Sequence, residues 1–197
     1  HCLPKDGILL WWRALEAQQD TSRSLILAAR GMNDASPAAT LALATGAFGP
    51  LNGRAIALMG AAYRFNSEDT RNSPTLVLAR QLLDIGARVT IHDPYVYPTD
   101  QNLMRHGLAE LFTRDLQAAV GPADVIIMCT AHRVYLEERR ALIGGAKRAV
   151  GVVDACNLWA ATDITGLGIG YAGIGRGTLP PAAALVAEVT EGFRAVE

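Results

Sequence analysis

Cys2, Lys5 and Asp6 stand in one short stretch, His1-Cys2-Leu3-Pro4-Lys5-Asp6, and their types suit covalent chemistry. A nearby cation lowers a thiol pKa, and the thiolate is the nucleophile. A carboxylate four positions on can handle a proton or a water. Taken alone, a near-terminal cysteine is a weak signal, and Asp6 serves equally well as a helix cap. A second group lies further on, where Tyr63, Arg64 and Arg71 precede Ser73-Pro74. Arginines just ahead of a capped helix start suit an anion such as a pyrophosphate, because guanidinium forks and helix N-terminal N–H groups both favour one. The competing reading pairs these arginines with Glu68 and Asp69 on the surface. Methionine removal normally leaves a small residue, so a bare His1 predicts the back portion of a longer protein.

The elements that must position these groups follow from periodicity. Ile8–Leu15 reads as a short helix after a loop that carries Cys2. Leu25, Ala28, Ala29 and Met32 fall at i, i+3, i+4 and i+7, an amphipathic helical stripe. Asn33-Asp34-Ala35-Ser36-Pro37 then gives a cap and a first-turn proline, which fits one kinked helix or two. From Arg54 short apolar runs alternate with helical stretches. Strands are expected at Ala55–Gly60, Arg88–Pro94, Asp124–Cys129 and Ala149–Asp154, with a glycine-rich edge at Leu167–Tyr171. Helices are expected from Ser73-Pro74 to Gly86, around Leu111–Val120 and around Val134–Ile143. That alternation predicts βαβ units and a parallel sheet.

Composition excludes several classes. Half of the 197 residues are hydrophobic, 19% are charged and the net charge is −1, so nothing marks a nucleic-acid or anionic-membrane surface. No apolar run approaches the ~20 residues of a membrane span. Three irregularly spaced cysteines give no disulfide framework, and no CxxC or HxxxH pair suggests zinc. A cytoplasmic location is expected. Cys129 and Cys156 read as small buried hydrophobes, His132 as a satisfied loop histidine, and Trp11 and Trp12 as packing residues. His92 and His106 carry no signal.

A dinucleotide site requires G-x-G-x-x-G between the first strand and its helix. That turn here has Gly60 alone, followed by a long loop. Asp93 stands where an acidic residue would hold an adenosine ribose, but without the glycines it reads as a turn former before Pro94. A nucleotide is expected, though not in the standard dinucleotide mode.

Tyr63-Arg64, Asp69-Thr70-Arg71-Asn72-Ser73-Pro74 and Ile91-His92-Asp93-Pro94 resemble the nucleotide-sugar-binding domain of nucleotide-sugar 6-dehydrogenases, the family of the UDP-glucose, UDP-N-acetylhexosamine and GDP-mannose enzymes. The opening segment resembles the family's G-G-x-C-x-x-x-D catalytic motif. Ala29–Pro37 is similar to its central dimerisation helix, and Thr130-Ala131-His132 and Val153–Asn157 fit later signatures. The resemblance spans about nine-tenths of the chain in one consistent order.

The resemblance implies oxidation of a sugar C6 alcohol to a carboxylate with NAD, through a cysteine thiohemiacetal and thioester. It places the nucleophile at Cys2 and water or proton handling at Asp6. Lys5 and Arg71 become cofactor contacts, and Tyr63 and Arg64 substrate contacts, with NAD bound mainly by a domain upstream. A homodimer and a UDP-sugar are the implied partners. The implied fold is α/β, a Rossmann-like parallel sheet with flanking helices preceded by an α-helical dimerisation segment. Residues 1–52 would hold the catalytic loop and dimerisation helices, 53–178 the nucleotide-sugar domain, and 179–197 a helical tail. One departure is Asp154-Ala155-Cys156, where the family usually carries a cation. A non-catalytic nucleotide-sugar-binding module or degenerate paralogue therefore stays open beside the enzyme.

Overall fold

The computed structural model describes residues 2–21 and 24–181, with residues 2–4 described by their backbone alone. The expected helix in the 179–197 tail lies almost wholly outside the described residues. Helix α1 spans Cys2–Glu16, so Cys2 belongs to a helix and not to a loop before one. Pro4 falls in its first turn, where a missing N–H loses no partner. Helices α2 (Leu25–Asp34) and α3 (Ser36–Phe48) are two helices meeting at Ala35, which keeps helical dihedrals of −80° and −8°. Pro37 lies in the first turn of α3, which is the position a proline tolerates.

Among the described residues, seven strands form one sheet in the order β3-β2-β1-β4-β5-β6-β7. They are β1 (Ala55–Met59), β2 (Arg88–His92), β3 (Phe112–Thr113), β4 (Val125–Met128), β5 (Gly151–Asp154), β6 (Gly170–Gly173) and β7 (Gly177–Leu179). All pairs are parallel except β6 with β7. The register aligns Met59 with His92 and Met128, and Met128 with Asp154. The loops after β1, β2, β4 and β5 therefore leave from one row. The chain reverses direction across the sheet between β1 and β4, the topological switch point of a doubly wound fold.

Side chains alternate across the sheet and build two cores. Ile56, Leu58, Ile91, Val125 and Ile127 meet α3 and helix α4 (Pro74–Asp84) on one face. Ala57, Met59, Ile126, Met128 and Val152 meet α6 (Leu116–Val120), α8 (Arg139–Gly145) and α9 (Ala161–Thr165) on the other. Helix α4 starts as its sequence predicts. The Ser73 hydroxyl accepts from Thr75 N at 3.3 Å, and the helix ends before Gly86, whose φ is +83°.

Other expectations need correction. The stretch expected to be helical around Leu111–Val120 opens with a 3-10 turn at Ala109–Leu111 and strand β3, and only Leu116–Val120 is α-helix. Asp115 caps that helix by accepting from Gln117 N and Ala118 N, which fixes its start. The Val134–Ile143 helix is two, α7 (Arg133–Glu137) and α8, broken at Glu138. The glycine-rich segment is not an edge, because β7 pairs outside it. The short α5 (Gln101–Arg105) and α9 carry no long apolar period and escape a periodicity reading.

Candidate functional site

A cavity of about 290 Å³ opens beside the switch point. Its wall includes Ala62 and Tyr63 after β1, Cys129 and Thr130 after β4, Ala155 after β5, Thr75 of α4 and Thr40 of α3. Ligands of open α/β sheets bind outside the carboxyl ends of strands at such a point. Gly60 makes the turn possible. Its φ is +102°, and a Cβ there would lie 2.4 Å from Thr130 Cβ. Thr130 in turn donates from Oγ1 to Ala62 O at 2.6 Å.

Asp93 does more than turn the chain. It is fully buried, and its Oδ2 accepts from Ala61 N (2.8 Å), Ala62 N (3.0 Å) and His132 Nε2 (3.0 Å). Oδ1 accepts from Tyr95 N and Val96 N. Burial pushes its carboxyl up, but the His132 and backbone N–H bonds outweigh it and leave the group below its ordinary value. With both oxygens occupied, Asp93 cannot hold a ribose. His132 is the satisfied loop histidine expected of it. Asp154 plays the same part after β5, accepting from Cys156 N, Leu158 N and Trp159 N.

The tightly tied loop splits the residues singled out above. Tyr63 lines the switch-point cavity, whereas Arg71 lines a separate open cavity of about 690 Å³ with Thr70, Asp100, Asn102 and Arg105. Arg71 pairs with Asp69, Nε to Oδ1 at 2.8 Å, and this holds the Asp69 carboxyl below its ordinary value. Arg71 thus makes the surface pair with Asp69 while also lining that cavity. Arg64 is exposed, its guanidinium 5.7 Å from the centroid of the Phe65 ring. Lys5 and Asp6 are exposed neighbours on α1, 3.8 Å apart. Lys5 faces a groove of about 870 Å³ shared with Arg30, Asp34, Thr70, Ser73 and Arg105. Positions 2 and 6 are one helical turn apart, and the Cys2 side chain lies outside the described residues.

Two thiols are poor nucleophiles here. Burial pushes Cys129 up to about 12, and burial with the Asp154 carboxylate pushes Cys156 up as well. Cys156 Sγ lies 3.6 Å from Asp154 Oδ1, so the position where the resemblance implies a cation holds a thiol beside a carboxylate. Arg105 and Asn102 were not visible as candidates in sequence; the only signal was Asp100, which caps α5 and accepts from Thr70 Oγ1 at 2.8 Å. The literal string Gly168-Ile169-Gly170-Tyr171-Ala172-Gly173 does occur in the chain. It runs along β6 and turns into β7 without a helix, so it lacks the strand–turn–helix that cradles a pyrophosphate.

The sequence profile of the UDP-glucose/GDP-mannose dehydrogenase family, UDP binding domain, matches residues 57–161. The UDP-glucose 6-dehydrogenase of Pseudomonas aeruginosa is 33% identical over 186 residues, covering 89% of this chain and 39% of that protein. The UDP-N-acetyl-D-mannosamine dehydrogenase of Pyrococcus horikoshii is 31% identical over 181 residues, covering 90% and 38%. Among solved structures, the NDP-N-acetyl-D-galactosaminuronic acid dehydrogenase of Methanosarcina mazei Go1 superposes with a TM-score of 0.77 at 27% identity, over 90% of this chain and 38% of that one. The chain thus spans about two-fifths of the length of the curated relatives it matches.

Proposed function

Because the chain belongs to the UDP-glucose/GDP-mannose dehydrogenase family, we propose that it is the nucleotide-sugar-binding portion of an NAD-dependent nucleotide-sugar 6-dehydrogenase. The observation that supports this most is the cavity at the switch point, walled by Tyr63 and Thr130. At about 290 Å³ it sits at the lower edge of the ~300–1,000 Å³ typical of ligand pockets. It takes one moiety of a UDP-sugar, and the rest extends past Tyr63, where Arg64 is the exposed cation for a diphosphate. In this reading Cys2 adds to the C6 aldehyde and Asp6 orients the water that later frees the acid. Lys5 and Arg71 are assigned to the cofactor side.

The described residues do not fit NAD at the switch point, since Gly60 stands alone and Asp93 is fully bonded. No step is derived through NAD, which this reading assigns to an upstream domain. A homodimer acting in the cytoplasm completes the proposal. Among the described residues no helix is long and apolar enough to cross a membrane. Relatives named as dehydrogenases along most of this chain do not favour a stand-alone binding module.

Calorimetric titration of UDP and UDP-sugars into wild type and Arg64→Ala tests the site. Losing a charge-assisted bond worth ~1.5–3 kcal/mol weakens UDP roughly 10- to 150-fold. Equal affinities would remove Arg64 from the site, and no UDP binding by wild type would overturn the reading.

A further inference from the structure

We propose that His132 is a positioning residue: its Nδ1 holds the Tyr63–Asp69 loop in the conformation that receives the nucleotide. This rests on the nucleotide reading of that loop. His132 is fully buried at the start of α7 and ties together the loops after β1, β2 and β4. Asn66 N donates to its Nδ1 at 2.9 Å, and its Nε2 faces Asp93 Oδ2 at 3.0 Å. Asp93 Oδ2 also accepts from Ala61 N and Ala62 N, immediately before Tyr63. One imidazole therefore grips the loop on both sides of Tyr63 and Arg64.

The grip falls on a left-handed residue. Asn66 has φ +51°, a conformation that asparagine tolerates better than most non-glycine residues, and the contacts around it hold it there. Its side-chain Oδ1 accepts from Arg133 N at 3.0 Å, so the next residue of α7 clamps the same point. Tyr63 N, for its part, donates to Asp69 O at 3.0 Å, closing the loop on itself. Tyr63 and Arg64 are exposed, so their placement depends on these backbone ties and not on burial of their own side chains.

The donor pattern fixes the tautomer. Nδ1 must accept, because Asn66 offers an N–H, and Nε2 must then carry the proton that Asp93 receives. The groups around the ring are His92 of β2, Asp93 just after it, Tyr95 with its ring 5.1 Å away, and Tyr135 of α7 at 5.5 Å. Arg133, next along α7, turns its guanidinium to Glu137. Among the described residues, Asp93 is the carboxylate bonded to the ring.

Two substitutions separate the two nitrogens. His132→Asn puts an amide oxygen near the place of Nδ1 and gives up the donor to Asp93. His132→Gln places an amide N–H near Nε2 and leaves Asn66 N without an acceptor. UDP affinity is measured by calorimetry, and hydrogen exchange at the Asn66 amide by NMR, for wild type and both variants at neutral pH. The expected result is that His132→Gln weakens UDP roughly five-fold, about one hydrogen bond, and speeds Asn66 exchange. His132→Asn recovers most of both. Unchanged affinity and exchange in His132→Gln, or a His132→Asn protein no better than it, overturns the proposal. Should either variant fail to fold, the 15N shifts of wild-type His132 decide, and a protonated Nδ1 at neutral pH overturns it. Absence of UDP binding by wild type would instead count against the nucleotide reading, while Asn66 exchange would still report the tether.

Discussion

His92 ends β2 and Asp93 follows it, and burial treats them in opposite ways. Burial holds the His92 imidazole below its ordinary value, because its surroundings penalise the charged form. Its Nδ1 lies 2.7 Å from the Tyr135 hydroxyl, which donates to His92 O. The unfolded chain therefore binds a proton at His92 before the folded protein does. Stability from this group is fully present above the unfolded value, about 6.5, and is lost as pH falls towards the lower folded value. Asp93 also sits below its ordinary value, so its contribution is present above about pH 4 and is lost further into acid. Thermal melts of wild type should decline from about pH 6.5 downward, and His92→Gln should flatten that first limb. Equal slopes in the two proteins would exclude His92 as its source. Asp93→Asn should cost roughly 3 kcal/mol at neutral pH, since an amide NH2 would face N–H donors; chemical denaturation measures it. Neither effect was legible in the sequence. Asp93 before Pro94 announced the turn correctly, with Tyr95 N and Val96 N as its local donors, but Ala61 N, Ala62 N and the His132 imidazole arrive from loops far away in the chain, and no local pattern encodes them. His132 was read as satisfied, without the partners that make it matter.

At the scale of elements, the sequence was most readable where one period dominates. The Ser73-Pro74 start of α4 and the five-residue runs of β1 and β2 stand where capping and apolar patterning put them. Short elements were missed because α5 is set by its Asp100 cap and β3 by neighbours already in place, Ile91 and His92 pairing with Phe112 and Thr113, while α9 is too short to show a period. The seat of α3 on the sheet was equally hidden. A Cβ at Gly151 would lie 2.1 Å from Phe48 Cε1, and one at Gly170 would lie 3.0 Å from the same atom. Bare glycines on β5 and β6 thus let the end of α3 lie against the strands and position Thr40, which walls the switch-point cavity. Gly151→Ala overpacks this seat and should destabilise by roughly 1–3 kcal/mol. Adding Phe48→Leu should recover part of the loss, because residues in contact couple. Denaturant unfolding of the two single variants and the double variant gives the coupling energy. Strict additivity would mean that Phe48 does not set the spacing.

For the whole molecule, the open question is what covers α1 and α2. These helices pack on each other, yet no described residue of α2 is buried. Leu25 and Met32 are each 82% exposed, and Leu9, Leu10 and Trp12 of α1 are exposed as well. A soluble protein rarely leaves apolar side chains gathered on adjacent helices unless another surface meets them. The amphipathic period read from Leu25 to Met32 was therefore correct as a helix, but its apolar stripe does not face this chain's own core. Helix α3 differs, since Pro37, Thr40 and Ala44 are buried against the body of the fold. The nucleotide-sugar dehydrogenase reading assigns the free stripe to a second copy of the chain. Sedimentation at micromolar concentration should then give the mass of a dimer, and Leu25→Asp should give a monomer whose UDP affinity is unchanged. The substitution places a charge on a surface position that touches none of the three cavities where ligand contacts are proposed, so a loss of UDP binding would signal unfolding and is checked by circular dichroism. A wild-type monomer at that concentration would count against dimerisation through α1 and α2, while leaving the switch-point site intact. The same preparation, mixed with NAD and UDP-sugars, should form no NADH, because neither the Gly60 turn nor the strand–turn at residues 168–173 offers a dinucleotide cradle. Turnover by these 197 residues alone would mean that the cofactor is held at a place other than an upstream domain.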